Sequence, residues 1–262
     1  MNPSAQTAPG DPTQRFSDRA ADYERYRPSY PGALIGHLRD RGVLAQSSRV
    51  ADIGSGTGIS AALFVDAACD VYAVEPNAAM RAAAERRLGE RANFHSIDGR
   101  AEATTLDEAS IDLAAAGTAF HWFDADAARV EFARILRPAG YAALFWNVRS
   151  IDTDFMRGYD ELLRTYCDGY GGSIRRERTG ESTLKAFFGT GAFERAAFAN
   201  AQDFDFDGLR GRMLSSSFVP LPGHPQHAPL LDALRVLFDA HASNGRVTMH
   251  YDTRLYLGRI QP

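Results

Sequence analysis

Cysteine is scarce: Cys69 and Cys167 are the 2 cysteines of a 262-residue chain. Two thiols cannot build a disulfide framework, a clustered metal site or a three-cysteine iron–sulfur motif, so no metal is expected. No apolar run approaches the roughly 18 residues of a membrane span, which argues against a membrane partner. Basic charge is not in excess either: 29 Lys and Arg face 33 Asp and Glu, a formal net charge of -4. Proteins that grip a phosphate backbone show a basic face or a high pI, so nucleic acid is not an expected partner. The densest basic run, Ile174-Arg175-Arg176-Glu177-Arg178, adjoins Gly171-Gly172 and reads as a solvated loop. Met1 to Thr13 is polar and proline-containing, without the apolar core of a secretion signal. It is expected to be a disordered tail (1–14) of a cytoplasmic protein.

What is present is ordinary for a globular enzyme, with 45% hydrophobic and 24% charged residues. Phe16, Ala20 and Tyr23 are spaced to share one helical face, and Pro31 suits the first turn of a helix over Gly32 to Arg41. Short apolar runs predict strands at Arg49–Ile53, Asp70–Val74, Asn93–Ile97, Ile111–Ala116 and Tyr141–Val148. Helices are predicted between them, from Ile59 to Ala67, from Ala78 to Leu88 behind an Asn77 cap, and from Asp124 to Leu136. A further helix is expected between the third and fourth strands. Alternation at this spacing implies an α/β fold, a doubly wound parallel sheet covered on both faces. After Val148 the rhythm changes. Helices at Asp154–Tyr166, Ser182–Phe188 and Pro229–Ala242 alternate with strands at Phe193–Phe206 and Arg246–Arg259, which should complete the same sheet beneath a helical cap.

The most informative stretch is Asp52-Ile53-Gly54-Ser55-Gly56-Thr57-Gly58, at a strand-to-helix turn. Such a turn is the first place to look for a ligand in a doubly wound sheet, and glycine lets backbone approach a ligand closely. A dinucleotide fingerprint, G-x-G-x-x-G, would need glycine where Ile59 stands. Glu75 ends the second strand about 20 residues on, placed to accept hydrogen bonds from a ribose diol. Three further stretches follow at strand ends: Asp98-Gly99-Arg100-Ala101-Glu102, then Gly117-Thr118-Ala119-Phe120-His121-Trp122-Phe123-Asp124, then Ile135-Leu136-Arg137-Pro138-Ala139-Gly140.

Together these motifs resemble class I S-adenosylmethionine-dependent methyltransferases of the type 11 family, including enzymes similar to trans-aconitate methyltransferase. Phe16-Ser17 through Tyr23-Glu24-Arg25-Tyr26-Arg27-Pro28 resembles that family's opening helix, and Gly245-Arg246-Val247 through Tyr251 to Arg259 resembles its ending. The resemblance implies a Rossmann-like sheet of about seven strands, mostly parallel with an antiparallel last strand, plus a helical cap. It implies a single domain over 15–262: an N-terminal helical lid (15–48), a cofactor-binding core (49–149), and cap elements (150–192 and 207–245). It also implies S-adenosylmethionine as cofactor, S-adenosylhomocysteine as product, and transfer to an oxygen, nitrogen or carboxylate of a small-molecule acceptor.

Carried over residue by residue, the family pattern puts Asp52, Gly54 and Gly56 against the donor, and Glu75 with Pro76 at its ribose. Met80, Ala101 and Glu102 lie near the adenine, and Thr118, Ala119 and Phe120 beside the methionine moiety. Tyr23 and Arg27, on the lid helix, are candidates to touch the cofactor, a guanidinium being suited to a carboxylate. His121 is the candidate general base, since an imidazole titrates near neutrality. Trp122, Trp146, Asn147 and Arg149 sit at the carboxyl ends of the fourth and fifth strands, facing the expected acceptor cleft. His224 and His227 lie in a proline-rich loop and receive no metal role. Two other readings stay open on the residues alone, a nucleotide-dependent oxidoreductase and a non-catalytic S-adenosylmethionine-binding protein. Monomer and homodimer are both compatible with the sequence.

Overall fold

The computed structural model of the chain describes residues 25–168, 170, 180–189, 193–216 and 218–260. Tyr23, the proposed tail and the basic run at 174–178 lie outside the described residues. In chain order the elements are α1 (Gly32–Asp40), β1 (Arg49–Ile53), α2 (Ile59–Asp66), β2 (Asp70–Val74), α3 (Ala78–Leu88), β3 (Phe94–Ile97) and β4 (Ile111–Gly117). Then come α4 (Ala125–Ile135), β5 (Leu136–Arg149), α5 (Asp154–Tyr166), α6 (Glu181–Phe188), β6 (Glu194–Phe204), α7 (Phe206–Leu214), α8 (His227–His241) and β7 (Val247–Gly258).

Helices α3, α4, α5 and α7 start where a short polar side chain satisfies one or more of their first N–H groups. The Asn77 side chain accepts from the Met80 amide at 3.0 Å, and Asp124 from the Ala127 amide at 3.1 Å. The sheet runs β3-β2-β1-β4-β5-β7-β6. Strands β1 to β5 pair in parallel, and β7 is antiparallel to both its neighbours, β5 and β6. Strand order reverses between β1 and β4, and the carboxyl ends of the strands at such a reversal are the usual ligand position in sheets of this kind.

Alternation along β5 shows how the two faces are filled. Phe145 packs edge-on against Tyr30 and Phe64, whereas Trp146 on the other face meets Phe120 and Tyr256. A separate apolar cluster joins α5, α7 and α8 to β7 through Tyr159, Leu163, Leu209, Met213, Leu234 and Tyr251.

Three expectations are corrected. Residues 98–110, between β3 and β4, form a loop where a helix was expected, with Thr105 and Ala109 at φ 65° and 48°. Strand β5 begins at Leu136, directly after α4: Leu136 pairs with Ile111, and the register shifts before Tyr141 meets Leu113. Strand β6 stops at Phe204 rather than Phe206, because the Asp205 side chain accepts from the Gly208 amide at 2.8 Å and starts α7.

The β3–β4 loop is held from α4 by one buried acid. Glu131 accepts from the Thr104 amide at 2.8 Å and the Thr104 hydroxyl at 2.5 Å, and pairs with Arg134 at 2.7 Å. Burial pushes its carboxyl up, but the hydrogen bonds from Arg134 and Thr104 outweigh that and hold it at about 2, against an ordinary 4.5. Since the folded value is depressed, this contribution is complete above the ordinary range and is lost as pH falls through about 2. Glu131→Gln should therefore cost about 1.5–3 kcal/mol in urea unfolding at pH 7. Its deficit relative to wild type should shrink on acidification, and a deficit independent of pH would contradict the assignment.

Candidate functional site

The glycine turn after β1 hangs from the end of β2. The Gly54 and Ser55 amides donate to the Val74 carbonyl at 2.8 and 3.2 Å, and the Gly56 amide donates to Glu75 Oε2 at 3.0 Å. The other oxygen of Glu75 accepts from the Asn77 amide at 2.9 Å. Two glycines serve different needs. Gly54 has φ +69°, and a Cβ there would stand 2.7 Å from Ala119 Cβ, so the segment after β4 closes directly onto the turn. Gly56 has φ +56° and nothing within 4 Å of its would-be Cβ, so it faces open space.

Asp52 lies beneath this turn, fully buried. Its Oδ2 accepts from Ser60 Oγ at 2.7 Å, while Oδ1, also buried, has no hydrogen-bond partner among the described residues. The Thr57 hydroxyl is another buried polar atom without one. Burial away from water is the main force pushing the Asp52 carboxyl up to about 7; the Ser60 hydrogen bond opposes it and the charge of Glu75 adds to it. Burial likewise raises Glu75, against its two amide hydrogen bonds and the charge of Arg81.

The flanking segments are drawn to the same place. Gly99 packs on the end of β2, where a Cβ would be 3.1 Å from Val74 Cγ1. Arg81 bridges the two loops, donating to the Glu75 and Pro76 carbonyls at 2.8 and 2.9 Å and to Asp98 at 2.9 Å. Pro76 is exposed, Met80 and Ala101 are buried, and Glu102 accepts from the Asp124 amide at 2.9 Å. Thr118 takes φ 55°, a costly conformation for a β-branched residue. It is held there by its amide, which donates to the Phe145 carbonyl at 2.8 Å, and by a 2.9 Å hydrogen bond between its hydroxyl and Tyr30 Oη. Phe120 is buried, and His121 is half-buried with its ring centroid 5.1 Å from that of the exposed Trp122.

On the acceptor side the candidates separate. Trp146 is buried in the core cluster with Phe120 and Leu184. The Asn147 amide donates to the Ser29 carbonyl at 3.1 Å, and its oxygen accepts from Thr253 at 2.6 Å, so it fixes the chain entering α1. Arg149 donates to Tyr170 Oη at 3.2 Å and lies over the Tyr159 and Tyr170 rings. Arg27 donates to the Ser215 carbonyl at 2.9 Å, which docks the segment before α1 onto the end of α7. Sequence reasoning missed Ser60, Arg81 and Tyr30, whose importance comes from contacts between distant segments.

The residues present fit the sulfonium donor that the sequence pattern implies. The orphaned Asp52 oxygen can accept from an ammonium, Glu75 keeps spare lone pairs for a diol, and the open side of Gly56 gives room for close approach. Residues 51–144 match the family described as a methyltransferase domain, of type 11. An uncharacterized methyltransferase of Schizosaccharomyces pombe is 28% identical over 208 residues, 78% of this chain and 79% of that one. One of Mycobacterium tuberculosis is 35% identical over 153 residues, 58% of this chain and 60% of its own length. A solved structure, the provisionally named type II methyltransferase of Anaeromyxobacter dehalogenans, shares the fold: TM-score 0.69 at 24% identity, covering 90% of this chain and 99% of that one. The protein is thus a class I methyltransferase that uses S-adenosylmethionine. Within that class, residues 51–144 are similar to the methyltransferase type 11 family.

The buried Asp52 makes a prediction about the ligand-free chain. Its folded carboxyl favours the neutral form, so stability falls as pH rises from the ordinary 3.8 to about 7. Asp52→Asn, neutral throughout, should gain melting temperature relative to wild type between pH 5 and pH 7.5. A gap that stays constant over that interval would refute the buried, partnerless oxygen.

Proposed function

We propose that the chain methylates a small molecule held between the glycine turn and the ends of β4 and β5. The observation that carries this reading is the acid pair at the turn, Asp52 with its unpartnered oxygen and Glu75 bracing the Gly56 amide. Bound there, S-adenosylmethionine supplies an electrophilic methyl group on a sulfonium, whose sulfur leaves as a neutral thioether. Asp52 holds the ammonium of the methionine portion, with Gly54 and Gly56 alongside, and Glu75 and Pro76 hold the ribose. Met80, Ala101 and Glu102 border the adenine, while Thr118, Ala119 and Phe120 wall the methionine side.

Little chemistry beyond alignment is then required of the chain. One bond forms between the acceptor atom and carbon as the carbon–sulfur bond breaks, and a neutral acceptor also gives up a proton. Orientation and exclusion of water can lower such a barrier by about 7–11 kcal/mol. The strained Thr118 backbone, pinned by Tyr30 and Phe145, is a rigid wall suited to that task. His121 and Trp122 border the acceptor, and the His121 imidazole can take the proton from an oxygen or nitrogen nucleophile. Asn147 acts through the Pro28–Ser29 backbone it holds, and Trp146 through the core behind Phe120.

Glu75→Gln tests the donor assignment. It keeps an oxygen for one amide but loses the charge, and charged hydrogen bonds contribute about 1.5–3 kcal/mol each. Affinity for S-adenosylhomocysteine in calorimetry should fall at least about tenfold while the protein still melts cooperatively. Wild-type affinity in this variant would remove Glu75 from the donor site.

A further inference from the structure

Four tyrosines near the acceptor end of the sheet differ in one respect. Tyr30 Oη meets Thr118, Tyr170 Oη donates to Asp160, and Tyr251 Oη donates to Gln202 at 3.1 Å. Tyr159, on α5 and 1% exposed, has a buried hydroxyl with no hydrogen-bond partner among the described residues. A buried hydroxyl without a protein partner costs stability, and native proteins satisfy nearly all such groups, so an exception calls for an explanation.

Its surroundings are cationic. Arg212, Arg149 and Arg27 all act on the phenol, together with the Tyr251 hydroxyl, while burial keeps the phenol protonated and able to donate. Arg149 sits with its guanidinium carbon 5.6 Å from the Tyr159 ring centroid and, among the described residues, interacts with aromatic groups rather than forming an ion pair. The charge of Asp160 also reaches Arg149, but its oxygens accept from Tyr170 and Arg164. Arg212 is 4% exposed and donates to Tyr251 Oη at 3.2 Å and Ser216 Oγ at 3.3 Å. Placement fits an extended acceptor. Thr118 is bonded to Phe145 of β5, and Arg149 follows four residues later on the same face, about 13 Å along the strand.

We propose that Arg149 and Tyr159 form an oxyanion subsite for the methyl acceptor. The acceptor carries a carboxylate or phosphate whose oxygens take the Arg149 fork and the Tyr159 hydroxyl, with the Arg212 charge behind them. This names the acceptor's chemical class and rests on the methyl-transfer reading of the neighbouring turn. The segment at Tyr26 and Arg27 closes this end, Tyr26 lying against Gly211 and Arg27 bonded to the Ser215 carbonyl, so an acceptor enters only when that contact parts.

The test uses the full chain saturated with S-adenosylhomocysteine. Calorimetry with succinate, benzoate, glycerol 3-phosphate and phenyl phosphate is run beside succinamide and benzamide, on wild type, Tyr159→Phe and Arg149→Gln. At least one oxyanion should bind wild type, its amide should not, and affinity should fall at least about fivefold in Tyr159→Phe and tenfold in Arg149→Gln. Binding confined to carboxylates or to phosphates supports the subsite and identifies the anion. A second readout needs no ligand: removing a buried hydroxyl that has no protein partner should raise the melting temperature of Tyr159→Phe by about 2–4 °C, where a structural hydroxyl would lower it. The proposal fails if none of the four anions binds the loaded protein, or if Tyr159→Phe melts lower and binds them unchanged. Failure of S-adenosylhomocysteine itself to bind would instead strike the underlying donor reading, and the loading step records that separately.

Discussion

The organisation of the site depends on one attachment, the hanging of the glycine turn from the end of β2 by the Val74 carbonyl and the Glu75 carboxylate. With both strand ends so fixed, Asp52 is buried beneath the turn and Gly56 is left with its open side outward. The attachment places two acids close enough for one to raise the other's pKa. An arrangement that disfavours charge in the ligand-free protein is suited to a cationic ligand, because a bound ammonium would supply the missing partner.

The rest of the site is braced against that turn from both sides. Ala119 abuts Gly54, and the Arg81 guanidinium ties the β2 end to the loop after β3. Farther along, Asn147 links β5 to β7 through Thr253 and to the chain entering α1. One strand, β5, therefore carries Phe145 and Trp146 in the core and, toward its carboxyl end, Asn147 bonded to the Ser29 carbonyl and Arg149 bonded to Tyr170. Phe145, Asn147 and Arg149 share one face of β5 and Trp146 lies on the other, so a one-residue slip of the strand would exchange the two faces.

Much of the frame was legible in the sequence because its signals are local. β1, β2 and α3 have the bounds that apolar runs and the Asn77 cap predict, and the antiparallel last strand follows the family pattern. Where the prediction went astray, a tertiary polar contact decides. The β3–β4 loop is secured by Glu131, 27 residues away from Thr104, and no pattern within residues 98–110 announces that. Asp205 resembles an ordinary strand-end residue until its side chain is seen to cap α7. At the site, Asp52, Gly54, Gly56 and Glu75 converge as the motif spacing suggests. Ser60, Arg81 and Tyr159 were not legible, since their importance lies in which partner each meets or lacks.

The central claim is that this turn is built for a sulfonium donor rather than a dinucleotide, and parallel calorimetric titration of the purified chain with S-adenosylhomocysteine and with NAD tests it most directly. The account predicts micromolar binding of S-adenosylhomocysteine and none of NAD. Binding of NAD, or of neither, would contradict the assignment of Asp52, Gly56 and Glu75 as the donor site.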